Sequence, residues 1–279
     1  MEHSKVLLLG ASGRLGCMLQ GFWPQSDDLI CHSRANRDGY VNFDPLKDAD
    51  ALRGAIAGSR AVICLSGITP AHAAATGDPL SLNTELALAT LRAADRAGGK
   101  RVFLASSAAV YGRATGPLAE NMACDPVSDY GRAKLEMEKA ASAFAQVHTL
   151  PVTVLRIGNV AGADAILGGW SEGMMLDAYP DGRTPQRSYI GPQTLAQVLH
   201  HLCRAKTLPD ILNIAAPGAI EMGALLDAAG LAWAPRPAND QTIARVALQT
   251  KRLEKEFDFA PNANAPATMV SQWRKYERG

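Results

Sequence analysis

Near the start of the chain four apolar residues in a row, Val6-Leu7-Leu8-Leu9, stand between Lys5 and Gly10. A short apolar run without alternation predicts a strand buried on both faces, as in parallel sheets. Leu15, Met18, Leu19 and Phe22 follow at helical spacing, and Pro24 ends that segment. The strand-then-helix pattern recurs. Residues 29–34, 61–65, 101–105 and 151–157 read as strands. Residues 45–57, the face Leu82, Leu86 and Ala89, and the stretch from Tyr130 to Phe144 read as helices. This alternation predicts an α/β fold: a doubly wound parallel sheet with helices on both faces. Leu195, Val198, Leu199 and Leu202 mark a further amphipathic helix, and residues 211–214 a short strand that should rejoin the sheet.

Beyond Pro217 the pattern changes. Residues 222–229, 248–257 and 265–276 read as helices, with Ala234-Pro235-Arg236-Pro237 as a connector. Residues 168–182 look irregular, and Met174, Met175 and Tyr179 there suit either a pocket lining or plain core.

Gly10-Ala11-Ser12-Gly13-Arg14-Leu15-Gly16 sits between the first strand and the first helix. That place suits a Rossmann-type dinucleotide site. The glycines permit a tight turn, close backbone approach to a pyrophosphate, and tight helix packing, with the phosphates on the helix N-terminus. A plain glycine-rich turn is the other reading. The expected cofactor contacts are Gly10, Ser12, Gly13, Arg14, Leu15 and Gly16, joined by Leu65, Ser66 and Gly67 after the strand at 61–65.

An NAD-binding chain places a carboxylate on the ribose 2′-hydroxyl at the end of the second strand. Here Ser33 and Arg34 stand there, with Arg37 close behind. A guanidinium binds a 2′-phosphate that a carboxylate would repel. The expectation is therefore NADP, with NAD as the alternative and solvated loop arginines as the plain reading. Asp44 is placed to meet the adenine or to cap the helix at 45–57. Asn83 either reaches the active site or faces water.

Composition narrows the partners. The chain has 279 residues, 47% of them hydrophobic, enough for a large core. Net charge is +1 without a long run of either sign, which argues against nucleic acid or an acidic membrane surface. Five scattered cysteines without C-x-x-C give neither a disulfide framework nor a zinc site. His200 and His201 are adjacent and point apart on a helix, so no metal is expected. The first apolar run is too short for a signal peptide, and none spans a bilayer. The expectation is a cytoplasmic protein.

Tyr130 and Lys134 are four apart at the start of a helix, hence on one face. A phenol titrates near 10, too high for a base at neutral pH. A positive charge about 4 Å away is worth roughly 4 kcal/mol at an effective dielectric of 20, enough to lower that value by up to ~3 units. The spacing alone also arises by chance. Its context adds weight: Ser106-Ser107 closes the strand at 101–105, at the edge where parallel sheets bind ligands.

With these pieces in order, the chain resembles an extended short-chain dehydrogenase/reductase of the NAD(P)-dependent epimerase/dehydratase type. The resemblance rests on the glycine turn, Ser106-Ser107-Ala108-Ala109-Val110-Tyr111-Gly112, Tyr130-Gly131-Arg132-Ala133-Lys134, Arg156-Ile157-Gly158-Asn159-Val160-Ala161-Gly162 and Arg187-Ser188-Tyr189-Ile190. It implies Ser107 as the catalytic hydroxyl, Tyr130 as general acid/base, and Lys134 on the nicotinamide ribose. It implies substrate contacts from Ser107, Asn159 and Arg187, the last gripping a nucleotide-sugar phosphate; a surface ion pair is the plain alternative for Arg187. Gly191-Pro192-Gln193-Thr194 replaces the Asp-bearing sequence that usually follows, which weakens that grip. Residues 1–163, completed by 191–216, are then the dinucleotide-binding domain. Residues 164–190 and 217–279 are a small, discontinuous, α-rich substrate lobe. The expected reaction is hydride transfer at a carbonyl or secondary alcohol of a small-molecule substrate, with a nucleotide-sugar epimerase or dehydratase as the alternative and an NADP sensor without chemistry as the third. A homodimer is the assembly the resemblance implies.

Overall fold

In the computed structural model, which describes residues 5–278, the apolar runs lie side by side. They are β1 (Val6–Leu9), β2 (Leu29–Ser33), β3 (Val41–Asn42), β4 (Ala61–Cys64), β5 (Arg101–Ser107), β6 (Val152–Ile157) and β7 (Ile211–Ile214). All pair in parallel, in the order β7-β6-β5-β4-β1-β2-β3. Strand order reverses between β1 and β4, which opens a crevice at their carboxyl ends. The start of the chain, residues 1–4, and Gly279 lie outside the described residues.

Both faces of the sheet are covered. Helices α1 (Arg14–Phe22) and α6 (Pro192–Leu202) pack Leu19, Leu195, Val198 and Leu199 on Leu8, Ile63, Phe103 and Leu155. On the other face, α2 (Ala49–Ala57), α4 (Leu82–Arg96) and α5 (Asp129–His148) set Leu52, Ile56, Leu91 and Met137 on Leu7, Leu9, Val62 and Leu104. Each such side chain contributes about 1.5–3 kcal/mol by leaving water. β1 has no exposed side chain, which explains its unbroken apolar reading.

Three local expectations change. The helix at 45–57 begins only at Ala49, and Asp48 caps it by accepting from the Ala51 N–H. The loop at 68–79 contains helix α3 (Pro70–Thr76), capped by the Thr69 hydroxyl. The lobe is mixed rather than α-rich. Helices α7 (Met222–Ala229), α8 (Leu253–Glu256) and α9 (Pro266–Arg278) are joined by two small sheets. In one, the strand Arg245–Leu248 lies between Gln186–Arg187 and Pro117–Leu118. In the other, Ala234–Pro237 is a strand paired with Met175–Ala178. Proline disqualifies a central strand, but this one has a single partner and tolerates the missing donors.

Candidate active site

The glycine turn takes up the expected geometry. Gly10 has φ +78°, and a side chain there would stand 2.8 Å from the Ser66 nitrogen. Gly16 abuts the Ala11 carbonyl, so α1 packs close on the turn. Gly13 caps α1 without a side-chain bond, which leaves the first helical N–H groups open. Open N–H groups beside a tight turn fit a diphosphate. Ser12 and Arg14 are exposed and Leu15 is half-buried along this turn. Arg14 also lines a cleft of about 400 Å³ between α1, Gly162–Trp170 and α9.

His32, which carried no pattern in the sequence, holds this turn. Its Nδ1 accepts from the Gly10 N–H at 3.3 Å, and its Nε2 donates to the Phe43 carbonyl at 2.8 Å. The partners fix the neutral tautomer. Burial pushes His32 below its ordinary 6.5, against the opposing pull of the Phe43 carbonyl bond and of Asp44.

At the end of β2, Ser33 is buried while Arg34 and Arg37 are exposed. Arg37 lies over the Tyr40 ring at 5.2 Å, and Tyr40 in turn donates to Gln20 of α1. Asp44 accepts from the Leu46 N–H, 2.9 Å away, and so starts a turn before α2. Asn83 does not face water. It is 1% exposed, its Oδ1 accepts from the Ile68 N–H, and its Nδ2 donates to the Ile68 and Leu80 carbonyls. With both ends engaged it shapes the loop after β4. Gly67 lies against it, and a Cβ on Gly67 would come within 2.5 Å of Asn83 and 3.3 Å of the Lys134 Nζ. Leu65, Ser66 and Gly67 therefore border the crevice beside Lys134.

Ser107, Tyr130 and Lys134 converge at the carboxyl end of β5. Ser128 caps α5, placing Tyr130 in its first turn. Ser107 accepts from the Ala109 N–H, and its hydroxyl faces the Tyr130 phenol closely enough to lower the phenol's pKa. The Lys134 Nζ stands 5.8 Å from the centre of the Tyr130 ring and donates to the Ala105 carbonyl at 2.8 Å. The electrostatics differ from the expectation. Burial raises the Tyr130 phenol above 10, and Ser107 opposes it. The ammonium is spent on a backbone carbonyl at the strand end. Lys134 is itself buried, which lowers it from 10.5 to about 8 against the pull of Cys64 and Glu138. By linkage, the unfolded chain holds this proton more tightly between those values. Stability therefore rises with pH across that window, and the full cost of the buried ammonium, on the order of 3 kcal/mol, is present at neutral pH.

Across the crevice Asn159 and Val160 pair with Tyr189 and Ile190. Tyr189 donates to Asp164 at 2.8 Å, is the register partner of Asn159, and lies within electrostatic reach of Arg187. Tyr189 thus stands between two expected substrate contacts. Arg187 is half-buried, and its Nη1 donates to the Gln186 carbonyl. Burial lowers it, against the pull of Tyr189, Tyr179 and Asp177. The Tyr179 hydroxyl is buried without a hydrogen-bond partner among the described residues.

No helix is long and apolar enough to cross a membrane among the described residues. A UDP-glucose 4-epimerase of Azospirillum brasilense is 40% identical over 83 residues, 29% of this chain and 24% of that protein; the match thus spans about a quarter of the relative. MoeE5, solved with UDP-glucuronic acid and NAD, superposes with a TM-score of 0.76 at 21% identity over 98% of this chain and 99% of that one. A monomeric L-threonine 3-dehydrogenase of metagenomic origin gives 0.75 at 16% identity, covering 98% and 99%. The two structures share this fold at identities that carry no more than the fold. The NAD dependent epimerase/dehydratase family model matches residues 6–214, the stretch that holds the sheet, the glycine turn and the Ser107–Tyr130–Lys134 group, and the chain belongs to that family of nicotinamide-dependent enzymes.

Proposed function

We propose that this enzyme transfers hydride at a carbonyl or secondary alcohol carbon of a small molecule, with NADP as the preferred dinucleotide. The observation that carries the reading is the convergence of Ser107, Tyr130 and Lys134 beside a glycine turn whose helix N–H groups are open. A bound nicotinamide supplies the hydride. The chain places the substrate and moves the proton. Ser107 orients the substrate oxygen. Tyr130, kept protonated by burial, gives its proton to that oxygen in the reducing direction and takes it back in the oxidising one. Lys134 holds the ribose beside Gly67. Ser33 in place of a carboxylate, with Arg34 and Arg37 exposed at the same strand end, supports the 2′-phosphate. In this reading residues 1–163 with 191–216 bind the dinucleotide, and residues 164–190 with 217–279 select the substrate.

Arg187 and the partnerless Tyr179 hydroxyl favour a second reading, a nucleotide-sugar epimerase that returns its hydride. The experiment follows NADPH absorbance with a panel of aldehydes and ketones, and UDP-glucose conversion without added cofactor. Net NADPH consumption supports the first reading. Tightly held NAD in the purified protein, with UDP-glucose converted and no net redox, supports the second. In either case Tyr130→Phe should lower kcat by about 10²–10⁴-fold while nucleotide affinity holds. Full turnover by that variant would overturn the mechanism.

A further inference from the structure

One helix face carries three residues at successive turns, Tyr130, Lys134 and Glu138, and each faces a different residue of β5. Tyr130 meets Ser107, Lys134 the Ala105 carbonyl, and Glu138 the Ser106 hydroxyl at 2.5 Å. Glu138 is 5% exposed and holds Arg156 of β6, which is 4% exposed, through Nε at 3.1 Å and Nη2 at 2.7 Å. Ser106 and Arg156 are register partners in the sheet, immediately before Ser107 and Ile157.

The chain of bonds continues away from the crevice. Arg156 Nη1 donates to the Tyr111 hydroxyl at 3.0 Å, and that hydroxyl donates to Asn213 Oδ1 of β7 at 2.8 Å. Asn213 Nδ2 then donates to the Leu118 and Gln249 carbonyls at 2.8 and 3.1 Å. These two residues flank the pairing of Pro117–Leu118 with Arg245–Leu248, and the latter strand pairs with Gln186–Arg187. Every group between Ser106 and Asn213 is buried. A buried, fully bonded polar path is stiff, because each member loses its partner if its neighbour shifts.

We infer that Glu138, Arg156, Tyr111 and Asn213 form a strut that sets the distance between the Ser107–Tyr130–Lys134 group and the strand carrying Arg187. All four are positioning residues, since none borders the crevice through the bonds described. The inference rests on the proposed function for its catalytic consequence only; its structural part stands on the bonds themselves. A substrate held at both ends needs that distance fixed, because small misplacement costs orders of magnitude in rate.

The test is Tyr111→Phe in the full chain, which removes one hydroxyl from the middle of the path and keeps the ring. Hydrogen exchange is followed without substrate. A strut requires exchange to rise at both ends, around 105–107 and around 246–249, by ~10-fold, while β1 is unchanged. A rise confined to one end, or an even rise across the sheet together with a lower Tm, overturns it. Glu138→Gln, which keeps the shape and removes the charge, should give the same two-ended pattern. With whichever panel compound the wild type turns over, Tyr111→Phe should lower kcat ~10-fold with NADPH affinity unchanged and the pH profile unmoved. A wild type that turns over nothing defeats the proposed function, while the exchange pattern still decides the strut.

Discussion

The carboxyl rim of the sheet and the lobe around Met175–Ala178 hold their charges in opposite ways. At the rim, Lys134, Glu138 and Arg156 are buried, and each is satisfied by a partner from a different element. In the lobe, Arg236 pairs with Asp177 at 2.6 Å and Arg183 with Asp181 at 2.7 Å, and of these four only Asp177 is half-buried. Buried charges cost several kcal/mol each unless well paired, whereas exposed pairs are nearly neutral. At Lys134, which has a carbonyl and no carboxylate as its partner, the rim therefore carries a cost in a fixed arrangement. The lobe spends little on its charges and can change its surface without loss of fold.

The comparison breaks most sharply at Lys134. Replacing it with Met removes a buried ammonium and should stabilise the protein at pH 7 by on the order of 2 kcal/mol, after allowing for the Ala105 carbonyl it leaves unpaired. Thermal unfolding should show a higher Tm while turnover is lost. A lower Tm would mean that the rim carries no stored cost. The gain should shrink as pH rises from about 8 toward 10.5, where the folded and unfolded chains come to agree on the proton.

A smaller effect sharpens the same point at His32. Its folded value lies below 6.5, so the unfolded chain takes up the proton first as pH falls. Stability contributed by the neutral ring is complete above about 6.5 and is lost as pH drops through the lowered value. Nucleotide affinity should fall over the same window, because a protonated Nδ1 no longer accepts the Gly10 N–H. Titrating affinity and unfolding of wild type against His32→Asn checks both. Equal acid sensitivity in the two proteins would remove His32 from the account.

The smallest effect belongs to the lobe. Arg236→Ala breaks a partly exposed pair, in which Nε and Nη2 both donate to Asp177 Oδ1, and should change stability by no more than about 1 kcal/mol. Denaturant titration with an unchanged slope would place the lobe where the comparison puts it.

What was legible in the sequence was local. Val6–Leu9, the glycine turn and the helix that carries Tyr130 each declare themselves within a few residues, because burial on both faces, positive φ and helical spacing act at short range. The lobe's strands did not. Gln186–Arg187 and Pro117–Leu118 are two residues long and gain meaning only from Arg245–Leu248, distant in sequence. The prolines of Ala234–Pro237 pointed to a connector because they deny the ladder donors, and only the position beside a single partner makes a strand there acceptable. The phenol meets a related limit. Spacing placed Lys134 beside Tyr130 correctly, but nothing in the spacing foretold that the Ala105 carbonyl would claim the ammonium. Asn83 shows the same limit: a polar residue near a crevice may not be assumed idle, and here the backbone took it.

The long-range pairing of Arg245–Leu248 has a consequence for assembly. A ribosome delivers the glycine turn and the Tyr130 helix well before the strand that flanks Arg187, and closing so large a loop is slow compared with local folding. The nascent polypeptide therefore holds every strand of its parallel sheet before the segment that completes the small sheet around Arg187 has been made.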